Sequence, residues 1–136
     1  MVGKQDFVAV ARFRRALRRL LKFVENLALE EGITPQQHQL LLAVAGHPER
    51  EWSSVGELAD ALQLKHHATV GLVDRCQIAG LVDREQDPGD RRVVRVSLTE
   101  KGEGILQRIT TRNIDNLRKI GELAAELQLV GSQASE

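Results

Sequence analysis

The chain has 136 residues, the length of one domain, and its shares of hydrophobic (42%) and charged (28%) residues are those of an ordinary folded soluble protein. Apolar runs extend over only a few residues, and none at the N-terminus leads to a small-residue cleavage site. Membrane spanning and secretion are therefore disfavoured, and we expect a cytoplasmic protein. The single cysteine excludes an internal disulfide and a multi-thiolate metal site.

Charge is balanced over the whole chain, with 19 basic and 19 acidic residues, but it is segregated along it. Residues 1–25 carry seven basic and two acidic side chains, whereas residues 26–64 carry one and six. Zero net charge argues against a nucleic-acid binder that relies on bulk basicity, but not against one with a local basic element. Three phenylalanines, one tryptophan and no tyrosine give no platform for stacking unpaired bases, so single-stranded nucleic acid is a disfavoured partner.

Long amphipathic helices are predicted at both ends of the chain. From Phe7 to about Leu29, apolar residues recur at steps of four and three, as on a helix with one continuous seam. Its other faces carry arginines and a lysine. Three roles are open for these side chains: a solvated face, a surface that contacts a partner, or a surface that faces phosphates. A second long helical region, in one or two pieces, begins after the N-cap residue Thr99 and ends before a polar tail from Gly131. The two seams are Phe13, Leu17, Leu20, Val24 and Leu27, and Leu106, Ile109, Leu117, Ile120, Ala124 and Leu127.

Three shorter helices are predicted between these two. Thr34 and Gln37 form a capping box that starts a helix running to about Ala45. After a polar connection, Ser54 and Glu57 form another, which starts a short third helix. A fourth helix is indicated by apolar residues that share one face and by a terminating glycine; these residues are Ala68, Leu72, Val73, Cys76, Ala79 and Gly80.

The segment after the fourth helix changes to an alternating pattern. Residues 81–86 and 93–98 each alternate in polarity with a period of two, as strands do. Between them, Asp87, Pro88 and Gly89 have the side chains that turns select. The pattern predicts a two-stranded hairpin with a charged tip.

Two helices joined by a tight turn and followed at once by such a hairpin have the layout of a winged helix-turn-helix. The second helix of the pair would enter the major groove, and the hairpin would reach the backbone or the minor groove. Arg91 and Arg92 lie at the tip of the hairpin, which is narrow enough to enter a minor groove. The negative potential of a narrow minor groove attracts arginine, and Asp90 would hold a guanidinium in place. The alternative is a hairpin tip that is charged only because it is solvated.

The same residues resemble the MarR (multiple antibiotic resistance regulator) family of bacterial and archaeal transcription factors. The resemblance extends from Ile33 to about Ile105, and the family's wing signature D-x-R-x-x-x-V-x-L-T is intact from Asp90 to Thr99. The residues that carry it are Leu58-Ala59, Leu62, Leu72-Val73-Asp74-Arg75, Gly80-Leu81-Val82, Arg84, Asp87-Pro88, Asp90-Arg91-Arg92 and Leu98-Thr99-Glu100-Lys101-Gly102.

The resemblance implies a mainly α fold with a small β-hairpin (α+β). It implies a single domain over residues 1–136, with a winged helix-turn-helix lobe at 33–98 and helical dimerisation regions at 5–31 and 99–130. It also implies a homodimer that reads a pseudo-palindromic operator in double-stranded DNA as a transcriptional regulator and repressor. A small-molecule effector, often an anionic aromatic compound, weakens DNA binding in many members of the family.

Two sets of residues are therefore predicted to act in binding. Because the seams expose more apolar surface than one small lobe covers, we expect dimerisation through Phe13, Leu17, Leu20, Val24, Leu117, Ile120 and Leu127. We expect DNA binding through Lys65, His66, His67, Thr69, Val70, Arg75, Asp90, Arg91 and Arg92. The family often has Asp, Ser or Thr at the start of the recognition helix, where this chain has Lys65 to Ala68, so the family's operator preference does not transfer.

Other chemistry finds little support in the sequence. The family usually has leucine where Cys76 stands, and a small hydrophobe filling the core explains this residue better than a redox-sensing thiol does. The adjacent His66 and His67 point about 100° apart on a helix and make a poor chelate, and His38 and His47 are lone histidines that are structural or exposed. We expect no metal, no cofactor and no enzymatic activity, since phosphate-binding loops and nucleophile motifs are absent. The alternative function is that of a winged-helix protein-interaction module that does not read DNA.

Overall fold

Helices account for most of the computed structural model, which describes residues 1–132. In chain order the elements are α1 (Lys4–Glu30), α2 (Pro35–Ala45), β1 (Trp52–Ser54), α3 (Val55–Leu62), α4 (His66–Ile78), β2 (Val82–Gln86), β3 (Val94–Leu98) and α5 (Glu100–Glu126), followed by a 3-10 turn at Leu127–Leu129. The predicted fold class, mainly α with a small antiparallel β element, is confirmed. The region after Thr99 is one helix rather than two.

The chain forms two compact units. One comprises residues 1–27 together with the described part of 110–136, and the other comprises residues 28–109. The division into a lobe at 33–98 and helical regions at 5–31 and 99–130 stays a prediction, and the last four residues of the predicted domain 1–136 lie outside the described residues.

A three-stranded antiparallel sheet lies in the second unit, with β3 between β1 and β2. Val82 pairs with Leu98 and Gln86 with Val94 in the predicted hairpin. The predicted hairpin is confirmed, but the sheet has a third strand that was not predicted: Trp52 pairs with Ser97 and adds β1 to the sheet. A strand of three residues is too short to show an alternating pattern, and its pairing partner lies far along the chain.

Local sequence signals define the ends of the short helices. Thr34 and Gln37 make the predicted capping box of α2, and Ser54 and Glu57 make that of α3. Gly80 ends the α4 segment with a φ of +76°, a conformation that favours glycine.

The start of α5 lies against the end of α4. The Thr99 hydroxyl donates to the Gly80 carbonyl at 2.6 Å, and Lys101 Nζ donates to the Ala79 carbonyl at 2.9 Å. A Cβ on Gly102 would overlap the carbonyl oxygen of Leu81, so the close approach of the two segments requires glycine there. The segment Leu98 to Gly102, which the resemblance singled out, therefore supplies donors to the carbonyls of Ala79 and Gly80 just after α4.

Candidate nucleic-acid interface

Helix α4 exposes the side chains of its first turn. Lys65, the N-cap residue, makes no side-chain cap hydrogen bond, and it is exposed together with His66 and His67. Val70 is half-buried and Arg75 is exposed one turn further on. These five of the predicted DNA-binding residues lie where a duplex could reach them.

Thr69 is the exception among the residues predicted on α4. It is fully buried, and its hydroxyl donates to the backbone carbonyl of Lys65 at 3.0 Å. The buried face of α4 consists of Thr69, Leu72, Val73 and Cys76, at steps of three, one and three residues. Ala68, which we expected on that face, is exposed. The expectation that Thr69 faces base edges is therefore corrected: the residue packs in the core and fixes the first turn of α4.

The connection between β2 and β3 is built on two aspartates. Asp87 Oδ2 accepts hydrogen bonds from the backbone N–H groups of Gly89 and Asp90, each at 2.9 Å, which closes the turn. Asp90 Oδ1 accepts from the backbone N–H of Arg92 at 3.0 Å and from its Nε at 3.1 Å, and Oδ2 accepts from its Nη2 at 3.1 Å. These hydrogen bonds from Arg92 lower the pKa of Asp90. The Arg92 side chain is nevertheless 89% exposed, so a fully charged guanidinium is oriented and remains accessible.

A groove of about 620 Å³ lies between α4, the start of α3 and the two hairpin strands. His66, Val70 and Arg92 line it, so three of the residues predicted to bind DNA lie around one concave surface. Lys65, His67, Arg75 and Arg91 are exposed outside its lining.

Arg84 joins α4 to the hairpin, a role that no local sequence pattern predicted. Its Nη1 lies 2.5 Å from Asp74 Oδ1, and its Nε donates to Gln77 Oε1 at 2.8 Å. Asp74 and Arg84 were both among the residues that carry the family resemblance, but neither helical nor strand periodicity brings them together.

The first unit carries the residues predicted to dimerise. Leu20 is buried, Phe13, Leu17, Val24, Ile120 and Leu127 are half-buried, and Leu117 is 43% exposed. Most of the exposed large hydrophobic side chains among residues 1–132 also lie in this unit, at Met1, Val2, Phe7, Val10, Leu21, Phe23, Ile114, Leu117 and Leu129.

Cys76 and the histidines show no reactive arrangement. Cys76 is fully buried, and burial raises the pKa of its thiol to about 11, which keeps it protonated. His38 is buried and desolvation lowers its pKa, while His47 Nε2 lies 2.9 Å from Glu57 Oε2. Within residues 1–132, no three side chains of His, Cys, Asp or Glu are grouped so that they could hold a metal ion. No helix of that range has the length and apolar character needed to cross a membrane.

Comparison with known proteins gives the family. The family model described as MarR family matches residues 31–93. A crystal structure of a MarR family transcription regulator is 30% identical to the chain and superposes with a TM-score of 0.73, covering 91% of this chain and 82% of that one. The chain belongs to the MarR family. The predicted resemblance is confirmed.

Curated MarR-like relatives are regulators that are longer than this chain. The HTH-type transcriptional regulator YsmB of Bacillus subtilis is 42% identical over 69 residues, which are 51% of this chain and 47% of YsmB. The HTH-type transcriptional repressor NicR of Pseudomonas putida is 33% identical over 111 residues, which are 82% of this chain and 66% of NicR. The chain thus spans between about half and two thirds of the length of these curated relatives.

Proposed function

We propose that this MarR family protein is a sequence-specific transcriptional regulator that binds double-stranded DNA and acts as a homodimeric repressor in the cytoplasm. The observation that carries the proposal is the position of Arg92. Asp90 holds its guanidinium in an exposed orientation, on the rim of the groove that His66 and Val70 of α4 also line. An oriented cation beside an exposed helix start is what a winged helix needs to contact phosphates and base edges together.

Helix α4 is the proposed reading element. Its exposed first turn, Lys65 to His67, would face base edges in the major groove, with Val70 offering an apolar contact to a thymine methyl group. Arg91 and Arg92 would contact the backbone or the adjacent minor groove. Arg75, exposed further along α4, would contact phosphate.

The first unit is the proposed dimerisation region. Its exposed apolar side chains include Leu117, Phe23 and Ile114, and burying them against a second copy would remove apolar surface from water. A two-fold dimer would also present two copies of α4 to a pseudo-palindromic operator.

Two further parts of the proposal rest on the family alone. A small-molecule effector of unidentified structure would modulate DNA binding, and the protein would act by binding rather than by catalysis. NicR is named as a repressor, which favours repression over activation here.

The test is a selection of genomic DNA fragments by the purified protein in the presence of competitor DNA. We expect the wild-type protein to enrich a small set of sequences that share a pseudo-palindrome, and the Arg91→Ala/Arg92→Ala variant to recover the same sequences at a much lower yield. Recovery of fragments in proportion to the input by the wild-type protein would contradict the proposal and favour a protein-interaction module.

A further inference from the structure

Two guanidinium groups lie over the ring of Trp52, the only tryptophan of the chain. Arg50 Cζ is 3.8 Å from the centroid of the indole ring, and Arg95 Cζ is 4.4 Å from it. Each cation is close enough for a favourable cation–π contact, for which tryptophan is the best partner. Because Trp52 is on β1 and Arg95 on β3, the ring joins two neighbouring strands through their side chains as well as their backbones.

One of the two arginines continues into the hairpin turn. Arg95 Nε and Nη2 lie 2.7 and 2.6 Å from Asp87 Oδ1. The other oxygen of the same carboxylate accepts the hydrogen bonds from Gly89 and Asp90 that close the turn. Asp90 in turn holds Arg92. A continuous series of contacts therefore runs from the indole ring to the guanidinium at the tip of the hairpin.

The other arginine is held at the start of α3. Arg50 Nη2 contacts Glu57 Oε2, and Glu57 Oε1 accepts a hydrogen bond from the backbone N–H of Ser54 at 2.9 Å in the capping box. Glu57 is thus fixed by the helix end, and it holds Arg50 over the ring. The indole therefore contacts one arginine held by the start of α3 and a second, Arg95, that is held by the hairpin turn.

We propose that Trp52 is a positioning residue for the hairpin tip, acting through Arg95 and Asp87 to fix the turn from which Arg92 projects. Contact with the rigid ring restricts Arg95 to one orientation, so Asp87 keeps both of its roles, as partner of Arg95 and as acceptor in the turn. Arg92 then enters a DNA groove from a fixed base and loses less conformational freedom on binding. The consequence for DNA rests on the proposed function, whereas the consequence for the turn does not.

The first experiment measures hydrogen exchange at the amides of Gly89 and Asp90 in the free protein. Trp52→Leu keeps an apolar side chain but removes the ring face, and we expect exchange at these amides to become about 5-fold faster as the turn opens more often. Trp52→Phe, which keeps a ring face, should restore exchange to within about 2-fold of wild type. Arg95→Gln should reproduce the effect of Trp52→Leu without altering the indole. Amides of α5 around Ile105 serve as the internal control and should be unchanged.

The second experiment measures affinity for a duplex pool of random sequence at low salt, in a double-mutant cycle with Arg92→Ala. We expect Trp52→Leu to weaken binding about 5-fold in the wild-type background and by no more than about 2-fold when Arg92 is absent, because the two residues act through the same contact. Equal factors in both backgrounds, or unchanged exchange at Gly89 and Asp90 in Trp52→Leu, would overturn the inference. If wild-type protein fails to bind the duplex while Trp52→Leu still speeds exchange, the proposed function fails and the positioning role stands.

Discussion

Arg84 of β2 contacts Asp74 of α4 with a separation of 2.5 Å between Nη1 and Oδ1. This ion pair fixes the hairpin to the helix proposed to read DNA, and a second hydrogen bond from Arg84 Nε to Gln77 reinforces it. The two side chains are 31% and 46% exposed, so solvent screens their attraction and the pair adds little to stability. We expect its effect to lie in geometry, because Arg84 joins α4 to the hairpin beside the groove that both of them line.

Arg84→Met keeps the aliphatic stem and removes the guanidinium. We expect the free energy of unfolding in urea to fall by no more than about 1 kcal/mol, because a partly exposed pair is lost. Affinity for operator DNA should fall more steeply, by about 5-fold to 10-fold, because α4 and the hairpin no longer hold one relative orientation. Asp74→Asn is the matched variant and should act alike. Wild-type affinity in both variants would show that the bridge has no part in binding.

Arg92→Ala should weaken binding to operator and near-operator sequences alike. We expect a loss of about 1–3 kcal/mol in binding free energy and a salt-dependence slope lower by about one unit, as for a backbone or groove-width contact. Arg92→Lys should rescue binding only in part, since an ammonium cannot form the bidentate fork with Asp90.

Two variants control the Arg92 measurement in a salt titration of affinity. Asp90→Ala should give a smaller loss in the same direction, because it frees the guanidinium and leaves its charge. Arg118→Ala removes an arginine of α5 whose side chain is 72% exposed and which lies far along the chain from the wing, and this variant should leave affinity unchanged. An Arg92→Ala protein with wild-type affinity at every salt concentration would show that the wing assignment is wrong.

Substitution of Thr69 should affect the stability of the protein, whereas substitution of its exposed neighbours on α4 should affect which DNA sequence is preferred. Thr69→Val removes the hydroxyl that donates to Lys65, and we expect a change of about 1 kcal/mol in the free energy of unfolding with the preferred DNA sequence unchanged. His66→Ala and His67→Ala should change which sequences are enriched in a selection, with little effect on unfolding. A new DNA sequence preference in the Thr69→Val protein would show that this residue does take part in reading bases.

Glu57 should make the second unit sensitive to acid. The backbone hydrogen bond at Ser54, followed by the side chains of His47, Ser54 and Arg50, lowers the pKa of Glu57 from 4.5 to about 2. Because the folded-state pKa is depressed, the stabilisation is complete above about pH 4.5 and is lost as the pH falls towards 2. Glu57→Gln should therefore flatten the pH dependence of the unfolding midpoint in this window. An identical pH profile for wild type and variant would mean that the carboxylate has no such role.

Leu117→Asp should dissociate the dimer without unfolding the chain. Leu117 is 43% exposed in the single chain, so a carboxylate there remains hydrated until a second copy covers it. We expect monomers in sedimentation velocity and a large loss of operator affinity, because one half-site alone lacks the second contact. Ile78→Asp, at a residue that is 86% exposed in the second unit, is the matched control and should leave the dimer intact. Leu20 is buried within the chain, so Leu20→Asp would test folding as well as pairing.

The parts of the fold that the sequence predicted are those with strong local signals. The two capping boxes, the glycine that ends α4 and the turn at Asp87 each depend on residues within a few positions of one another. Periodicity identified the long helices, because seams of many residues average out single exceptions.

The features of the fold that the sequence did not predict depend on contacts between distant residues, or on which of two neighbouring residues of a helix points inward. Strand β1 exists because β3 offers it an edge, and three residues carry no period of their own. Ala68 and Thr69 differ by about 100° around α4, and the packing of the core rather than the apolar pattern decided that Thr69 points inward. The contacts of Arg50 and Arg95 with Trp52 need two separate segments of the chain to meet.

In the proposed function, two copies of this chain read one pseudo-palindromic site in duplex DNA. The most direct measurement is a footprint of the wild-type protein on a fragment enriched in the genomic selection, combined with the sedimenting mass of the complex. We expect two chains per duplex and two protected half-sites separated by about one helical turn, ~10 bp, on one face of the DNA. One chain bound to a single half-site with undiminished affinity, or protection that spreads without preference along the fragment, would contradict it.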